Sequence, residues 1–302
     1  MEYIIHLLIL VGIYVILAQS FNVIFGLGFQ FNLAHVAVYA IGAYTTALLA
    51  TGLKYCPLES ICIDLEPMGT FSGIVFSMLT SGLLAFLIGG ISLKLALDYF
   101  AIGTIAFSSV ISALLINWKS LTRGVLGIPG IPRPEVMGLE LYDNWYFLAF
   151  VCVLVVFTLL VVHRVFYSAL GRGLRAQSQH PYAVQALGKN AVALRTAGFV
   201  ISSLFAGLAG SLFAYYINYI DPSSFSLTEM VFVLTIVIVG RPGSFWGCIV
   251  ASFFLVLLPE PLRFLEIPSS ILGPMRQLLY ALILFTSVYI NRGRLFPERR
   301  EI

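Results

Sequence analysis

Apolar residues run through this chain in blocks rather than in alternation. Blocks bounded by polar, Gly or Pro punctuation fall at about 3–25, 32–52, 70–93, 98–117, 144–166, 194–217, 226–240, 243–260 and 272–290. Most reach the roughly 20 residues a helix needs to cross about 30 Å of hydrocarbon. The pattern predicts an all-α polytopic membrane protein of about nine transmembrane helices, with eight to ten as the range. The run from Ser226 to Gly240 is short for a crossing. Arg241-Pro242-Gly243 predicts a tight turn into the next block, so the seventh and eighth segments are expected as a hairpin that need not cross fully. Met1 to Leu17 carries no basic n-region and no small-residue cleavage site follows it, so the first block is expected to be a span and not a cleavable signal.

Composition turns this pattern into an exclusion. Of 302 residues 60% are hydrophobic and only 10% charged, with mean hydropathy +0.97, where a soluble domain carries about 25% charged residues. So few polar heads cannot clothe a water-facing surface, and the lipid bilayer is the first partner implied. A soluble enzyme and a nucleic-acid binder are excluded, and a net charge of +3 is too small to imply a polyanionic ligand. One domain, residues 1–302, is expected.

Charge matters for orientation. If the connection from His163 to Arg195 is cytoplasmic, alternation puts Lys94, Arg241, Arg292, Arg294, Arg299 and Arg300 on the same side. Eleven of the 17 basic residues then lie inside. Lys54, Lys119, Arg123, Arg133, Arg263 and Arg276 lie outside. This satisfies the positive-inside rule. It leaves the N-terminus and the connections 53–69 and 118–143 outside, and residues 168–195 and the tail 292–302 in the cytoplasm. Cys56 and Cys62 fall in the first outer connection, where an oxidising compartment would let them pair, and a free pair is the alternative. Cys152 and Cys248 lie within spans and read as small packing residues.

Catalytic patterns are missing. His6, His35, His163 and His180 are scattered, with no HExxH, CxxC or paired acidic motif, so no metal site is indicated. There is no GxSxG, and no GxxxxGK[ST] to cradle nucleotide phosphates. The chain is expected to be no enzyme and to hold no cofactor, and any ATP it uses must be bound by another chain.

Three segments remain informative. In the second block Gln30, Asn32 and His35 cluster where Gly26 and Gly28 weaken the helix. Irregular polar backbone at membrane depth is tolerated facing protein or a water-filled cavity, so these residues are a candidate translocation path, with mutual satisfaction inside the bundle as the alternative. Asn117, Asn218, Glu229 and Glu260 stand near block ends, where interfacial solvation accounts for them. In the central connection Gly171, Arg172 and Arg175 belong to a basic, mildly amphipathic stretch. Pro181 then stands where a first helical position is favoured and Gly188 where a C-terminal cap is favoured, framing a helix of about seven residues. It presents Ala183, Ala186 and Leu187 as a small apolar knob for a partner's groove, although an ordinary basic loop would read the same way. The connection from Lys119 to Asp143, with three prolines and three basic residues, would suit docking of a soluble delivery protein, or serve as a lid over helix ends. Small residues four apart, as in Ser203, Ala206, Gly207, Gly210, Ser211 and Ala214, would let helix backbones approach closely.

Gly171-Arg172-Gly173-Leu174-Arg175-Ala176, then Ala183, Ala186-Leu187-Gly188 and Ala197-Gly198-Phe199 to Ala209-Gly210, resembles the coupling segment of branched-chain amino acid ABC-importer permeases of the LivM type. Pro181 and Tyr182 stand where that family usually has an acidic residue. The resemblance extends over Gly26, Gln30, Leu33, His35, Ala37 and Ile41-Gly42-Ala43-Tyr44, with Phe29, Asn32 and Ala34 in place of glycine, serine and glycine. It continues over Asp98 to Phe107, over Gly124 to Pro129, and over Pro222 to Phe225 with Gly240, Gly243-Ser244 and Trp246-Gly247, where Arg241 interrupts a usual glycine pair. It implies an ABC-importer permease bundle in the bacterial inner (plasma) membrane, translocating branched-chain amino acids or related small polar or amide solutes. Its implied partners are a second homologous permease, two cytoplasmic ATPases that carry ATP and Mg, and a periplasmic substrate-binding protein. The rival is a self-sufficient ion-coupled secondary transporter or channel, which would carry mid-span carboxylates and an inverted repeat, neither of which the sequence displays.

Overall fold

The structure, a computed structural model, describes residues 2–58, 61–92, 97–136, 139–261, 269–290 and 292. Helix α1 (Glu2–Phe21) runs on into a π-helical stretch, Asn22–Leu27. It is followed by α2 (His35–Thr51), a hairpin of β1 (Leu53–Leu58) and β2 (Ile61–Leu65), α3 (Thr70–Ser92) and α4 (Leu97–Asn117). Next come α5 (Lys119–Thr122), β3 (Ile128–Pro129), β4 (Glu135–Val136), β5 (Leu139–Glu140) and α6 (Asn144–Tyr167). Two short helices, α7 (Ala169–Gln179) and α8 (Pro181–Ala186), lead to α9 (Ala191–Ile217). The chain ends in β6 (Tyr219–Ile220), a 3-10 turn Pro222–Phe225, α10 (Leu227–Val239), α11 (Phe245–Leu257) and α12 (Ser269–Ile290).

Among the described residues six helices are long and apolar enough to cross a membrane, and α2, α10 and α11 are shorter apolar helices. At 13 residues each, α10 and α11 span only about 20 Å, so the hairpin expected from the short seventh block is what forms. Among the described residues the predicted blocks thus hold six helices of full crossing length and three shorter ones, which does not amount to nine full crossings. The starts differ where caps decide. Asn190 Oδ1 accepts the Ala193 amide (3.1 Å), so α9 begins three residues ahead of its apolar block.

α1 and α9 form the buried centre, with α2 and α3 against α9 and α6 and α11 against α1, while α4, α6 and α12 keep long apolar faces outward. The small residues of α9 set that packing. A Cβ on Gly207 would lie 2.7 Å from Ser77 O of α3, and one on Gly210 would lie 2.2 Å from Tyr39 O of α2, so backbones touch where any side chain would hold them apart. Cys248 is buried, but Cys152 is exposed on α6 and packs no core, which corrects the reading of both as packing residues.

One end of the bundle is sewn together by the connections. Ile128 pairs with Ile220 and Pro129 with Tyr219. Asn218, left-handed at the C-cap of α9, donates Nδ2 to Ile131 O (2.7 Å). The Glu135 amide donates to Thr70 Oγ1 (2.8 Å), and Arg133 bonds Asn144 Oδ1 (3.2 Å). Residues 119–143 thus include a fixed platform on four helix ends. Asp221 anchors the neighbouring turn: burial pushes its carboxyl up, but the Ser223 and Ser224 hydroxyls and backbone N–H groups outweigh that and hold it below its ordinary value. The opposite end carries α7 and α8, the π-helical stretch and the α10–α11 turn. Cys56 and Cys62 fall on β1 and β2, whose register pairs Tyr55 with Ile63 immediately before a bulge. Their side chains, like tail residues 293–302, lie outside the described residues.

Candidate translocation and coupling sites

The first site grows out of the end of α1. An extra residue per turn at Asn22–Leu27 widens the helix. The chain then leaves helical geometry at Phe29, whose φ is 51°. Rings hold the irregular stretch in place, Phe25 lying 4.7 Å from Phe31 and 5.7 Å from Phe29 between centroids. Thr104 of α4 accepts the Leu33 amide (3.1 Å). Gln30, Asn32 and His35 are all buried here, between α1 and the start of α2.

Their hydrogen bonding is incomplete. Asn32 Oδ1 accepts the Ala34 amide (3.1 Å), and His35 Nε2 meets Ser20 Oγ at 2.9 Å. Ser20 gives its single proton to Leu17 O (2.7 Å), so it can only accept from His35, and Nε2 carries the imidazole proton. That leaves His35 Nδ1, Asn32 Nδ2 and both amide atoms of Gln30 without a hydrogen-bond partner among the described residues. At about 1–3 kcal/mol per unsatisfied buried group, four such atoms cost about 4–12 kcal/mol, comparable to the whole stability of an ordinary domain. Mutual hydrogen bonding among the described residues therefore leaves these four atoms unaccounted for.

A second polar cluster on α1 escaped the sequence reading. Gln19 Nε2 donates to Phe245 O (2.6 Å). Asn22 donates Nδ2 to Ser244 O (3.0 Å) and accepts the Gly243 amide on Oδ1 (2.9 Å). The two side chains clasp the α10–α11 turn, whose Gly243 (φ 79°) comes so close that a Cβ on Gly26 would sit 2.3 Å from its nitrogen. Gln19 and Asn22 at i, i+3 in an otherwise apolar run were the available signal. Nothing local could name a partner more than 220 positions away.

The coupling segment divides into an anchored half and a free half. In α7, Gly171, Leu174 and Gln177 are buried at i, i+3, i+6. Gly171 presses on Val165 O, where a Cβ would lie 2.3 Å away. Arg172 donates to Tyr167 O (2.9 Å), and Arg175 lies over the Phe166 ring, 5.8 Å from its centroid. Both arginines are thus turned back onto α6. In α8 only Val184 is buried, while Tyr182 is 84% and Leu187 80% exposed. Ala183 and Ala186 share the open side. Pro181 opens this helix as its spacing predicted, and Gly188 (φ 72°) closes it. The Gly188 amide bonds Gln185 O (2.9 Å) and the Lys189 amide bonds Val184 O (3.2 Å), the paired bonds of a Schellman cap. α7 packs against both the π-helical stretch and α9, so the exposed helix is one contact removed from the polar cluster.

Glu229 corrects the interfacial assignment made from sequence. It accepts Tyr14 Oη at 2.5 Å, and Tyr14 lies about 18 Å along α1, near mid-height of the bundle. Asn218 is fixed in a protein hydrogen bond to Ile131 O (2.7 Å), and Asn117 bonds Ala113 O (2.8 Å).

Residues 3–288 match the family described as branched-chain amino acid transport system / permease component. The chain is 34% identical over 285 residues to the high-affinity branched-chain amino acid transport system permease protein LivM of Salmonella typhimurium, and 33% identical to that of Escherichia coli. Each alignment covers 86% of this chain and 64% of the relative, so the chain spans less than two thirds of their length. A probable branched-chain amino acid transport permease protein LivM of Methanocaldococcus jannaschii is 24% identical, over 95% of this chain and 91% of its own length. No solved structure matches significantly.

Proposed function

The chain belongs to the family of branched-chain amino acid transport permease components, and from that premise we propose that it is the multi-pass permease subunit of an ATP-binding-cassette importer. It carries branched-chain amino acids or related small polar or amide solutes across the bacterial inner membrane. The end bearing α7 and α8 faces the cytoplasm, where two ATPase subunits bind ATP and Mg. A homologous second permease stands beside it, and a periplasmic binding protein delivers solute to the platform at residues 119–143. The chain itself makes and breaks no covalent bond.

One observation carries the reading: α8 is a capped helix whose Tyr182, Ala183, Ala186 and Leu187 side is exposed among the described residues, while α7 ties it to the π-helical end of α1. ATP-driven closure of the ATPases pushes α8, α7 passes the movement to residues 22–27, and the Gln30–Asn32–His35 turn rearranges. In that movement water or solute satisfies the amide and imidazole atoms left open in the closed bundle. An ion-coupled transporter would also use a mid-membrane carboxylate such as Glu229, and family membership decides against it.

The test is Ala186→Glu in the assembled complex. A buried charge at the docking helix should cost about 3 kcal/mol or more, so ATPase co-purification and solute uptake should fall together while membrane insertion is unchanged. Full assembly and uptake would remove the coupling role and return the ion-coupled alternative.

A further inference from the structure

The platform changes character where it meets the end of α4. Val110 and Leu114 are exposed on that helix, as expected of a span that faces hydrocarbon, and the helix stops at Asn117. Trp118 follows, itself exposed, at the depth where aromatic rings mark the boundary between hydrocarbon and water. Lys119 comes next and opens α5.

Local backbone chemistry then folds the chain back onto α4. Thr122 Oγ1 shares its proton between Leu115 O (2.7 Å) and Trp118 O (2.9 Å). Gly124 takes φ 60°, and a Cβ there would lie 2.7 Å from Ile116 O, so glycine lets the turn press on the last turn of the helix. Arg123 just before it is also left-handed (φ 59°) without being glycine, the kind of strained position that gathers at ligand clamps. Its amide bonds Lys119 O (3.1 Å), so the two basic side chains leave neighbouring positions one helical turn apart. The result is a groove of about 450 Å³ walled by Lys119, Arg123, Val125 and Leu126. Val125 is 72% and Leu126 77% exposed.

The charge of this groove is unanswered. Its wall holds two cations and no carboxylate, and among the described residues neither cation is engaged in a hydrogen bond or ion pair. Arg133, the third basic residue of the platform, is turned inward instead, bonding Asn144 Oδ1 (3.2 Å) and lying over the Phe147 and Tyr216 rings. The free basic charge of the platform is thus gathered at its flank, beside the lipid-facing side of α4.

We propose that this groove binds an anionic phospholipid of the phosphatidylglycerol type. Lys119 and Arg123 hold the phosphate oxygens, the guanidinium as a fork and the ammonium as a point charge. Val125 and Leu126 lie against the glycerol and the first methylenes at the water's edge, and the acyl chains run down past Val110 and Leu114. A zwitterionic headgroup would bring a cation to a wall with no acid to receive it. A soluble anion would answer the two charges and leave the two large apolar side chains in water. A protein seated over the platform would meet its top, whereas this groove lies where the hydrocarbon begins. The site concerns the bilayer and not the transported solute, so it stands apart from the import reading; the orientation of the bundle decides only which leaflet supplies the lipid.

Photo-crosslinking of the full chain in nanodiscs of equimolar phosphatidylcholine and phosphatidylglycerol tests it, with one lipid or the other carrying a diazirine high on an acyl chain. Peptide mapping should find residues 110–126 labelled about tenfold more by the phosphatidylglycerol probe. Lys119→Gln with Arg123→Asn, an amide that tolerates the left-handed backbone, should bring the two probes to parity. Either substitution alone should fall between and serves if the double variant misfolds, while Lys119→Arg should keep the preference. Glycerol 1-phosphate, the free headgroup, should not displace the probe. Equal labelling of the wild type by both probes, or a preference that survives loss of both charges, would overturn the site. Displacement by glycerol 1-phosphate would make it a site for soluble anions, and displacement by the delivery protein added to the assembled importer would make it a protein-docking surface; either result removes the lipid assignment.

Discussion

Asn22 and Gln30 are buried amides eight positions apart, and they stand in opposite energetic positions. Asn22 uses its side chain on two backbone groups of the α10–α11 turn, so Asn22→Ala strands both, at about 1–3 kcal/mol each. We expect a clear drop in the thermal midpoint of the purified protein. Gln30 has no side-chain partner among the described residues, so Gln30→Ala removes a cost. Its thermal midpoint should hold or rise while solute uptake by the assembled complex falls. Equal destabilisation by the two substitutions would make Gln30 a packing residue and remove it from the translocation path. Sequence singled out Gln30, Asn32 and His35 because polar groups beside glycines break an apolar block visibly. It passed over Asn22 because the reason for that residue is a backbone turn folded against it from far along the chain.

The helix from Pro181 to Ala186 was legible almost in full, since both its ends are set by local backbone chemistry: a proline with φ already fixed, and a glycine able to take φ 72°. Gly188→Val should cost about 1–2 kcal/mol in that left-handed position and unravel the Schellman cap. Faster amide exchange at Gly188 and Lys189, with weaker ATPase co-purification, is the expected result; unchanged exchange would show that α8 does not depend on its cap. The roles of Arg172 and Arg175 were less legible. A basic stretch reads as a docking surface, but the carbonyl of Tyr167 and the ring of Phe166 take both guanidinium groups. The same limit applies to Glu229. Proximity to a block end suggested the interface, yet α10 is only 13 residues long and its Glu229 is held by Tyr14 of α1, so the end of an apolar block is not by itself the surface of the membrane.

The arrangement of the whole bundle gives the basic asymmetry its meaning. Lys119, Arg123 and Arg133 belong to the end closed by β3 and β6, and Arg172, Arg175, Lys189 and Arg241 to the end bearing α7, α8 and the α10–α11 turn. Alternation of the blocks made these two groupings readable in advance, because each apolar helix reverses the chain. What alternation left out was the sewing of 119–143 onto the helix ends, which depends on single hydrogen bonds between remote segments. If the β1–β2 hairpin faces an oxidising compartment, its register, with Tyr55 opposite Ile63 and Leu58 opposite Ile61, places Cys56 and Cys62 on facing strands within one bulge, where a disulfide could join them. Mass mapping of unreduced protein should find them linked, and two alkylatable thiols would show that they are not. The orientation itself is tested from both faces. In a background with the four native cysteines replaced, a cysteine at Leu126, 77% exposed in the platform, should react with a membrane-impermeant maleimide added to intact spheroplasts. One at Gln179, exposed at the end of α7, should react only in inverted vesicles. The reverse pattern would invert the bundle, placing α8 where no cytoplasmic ATPase could reach it.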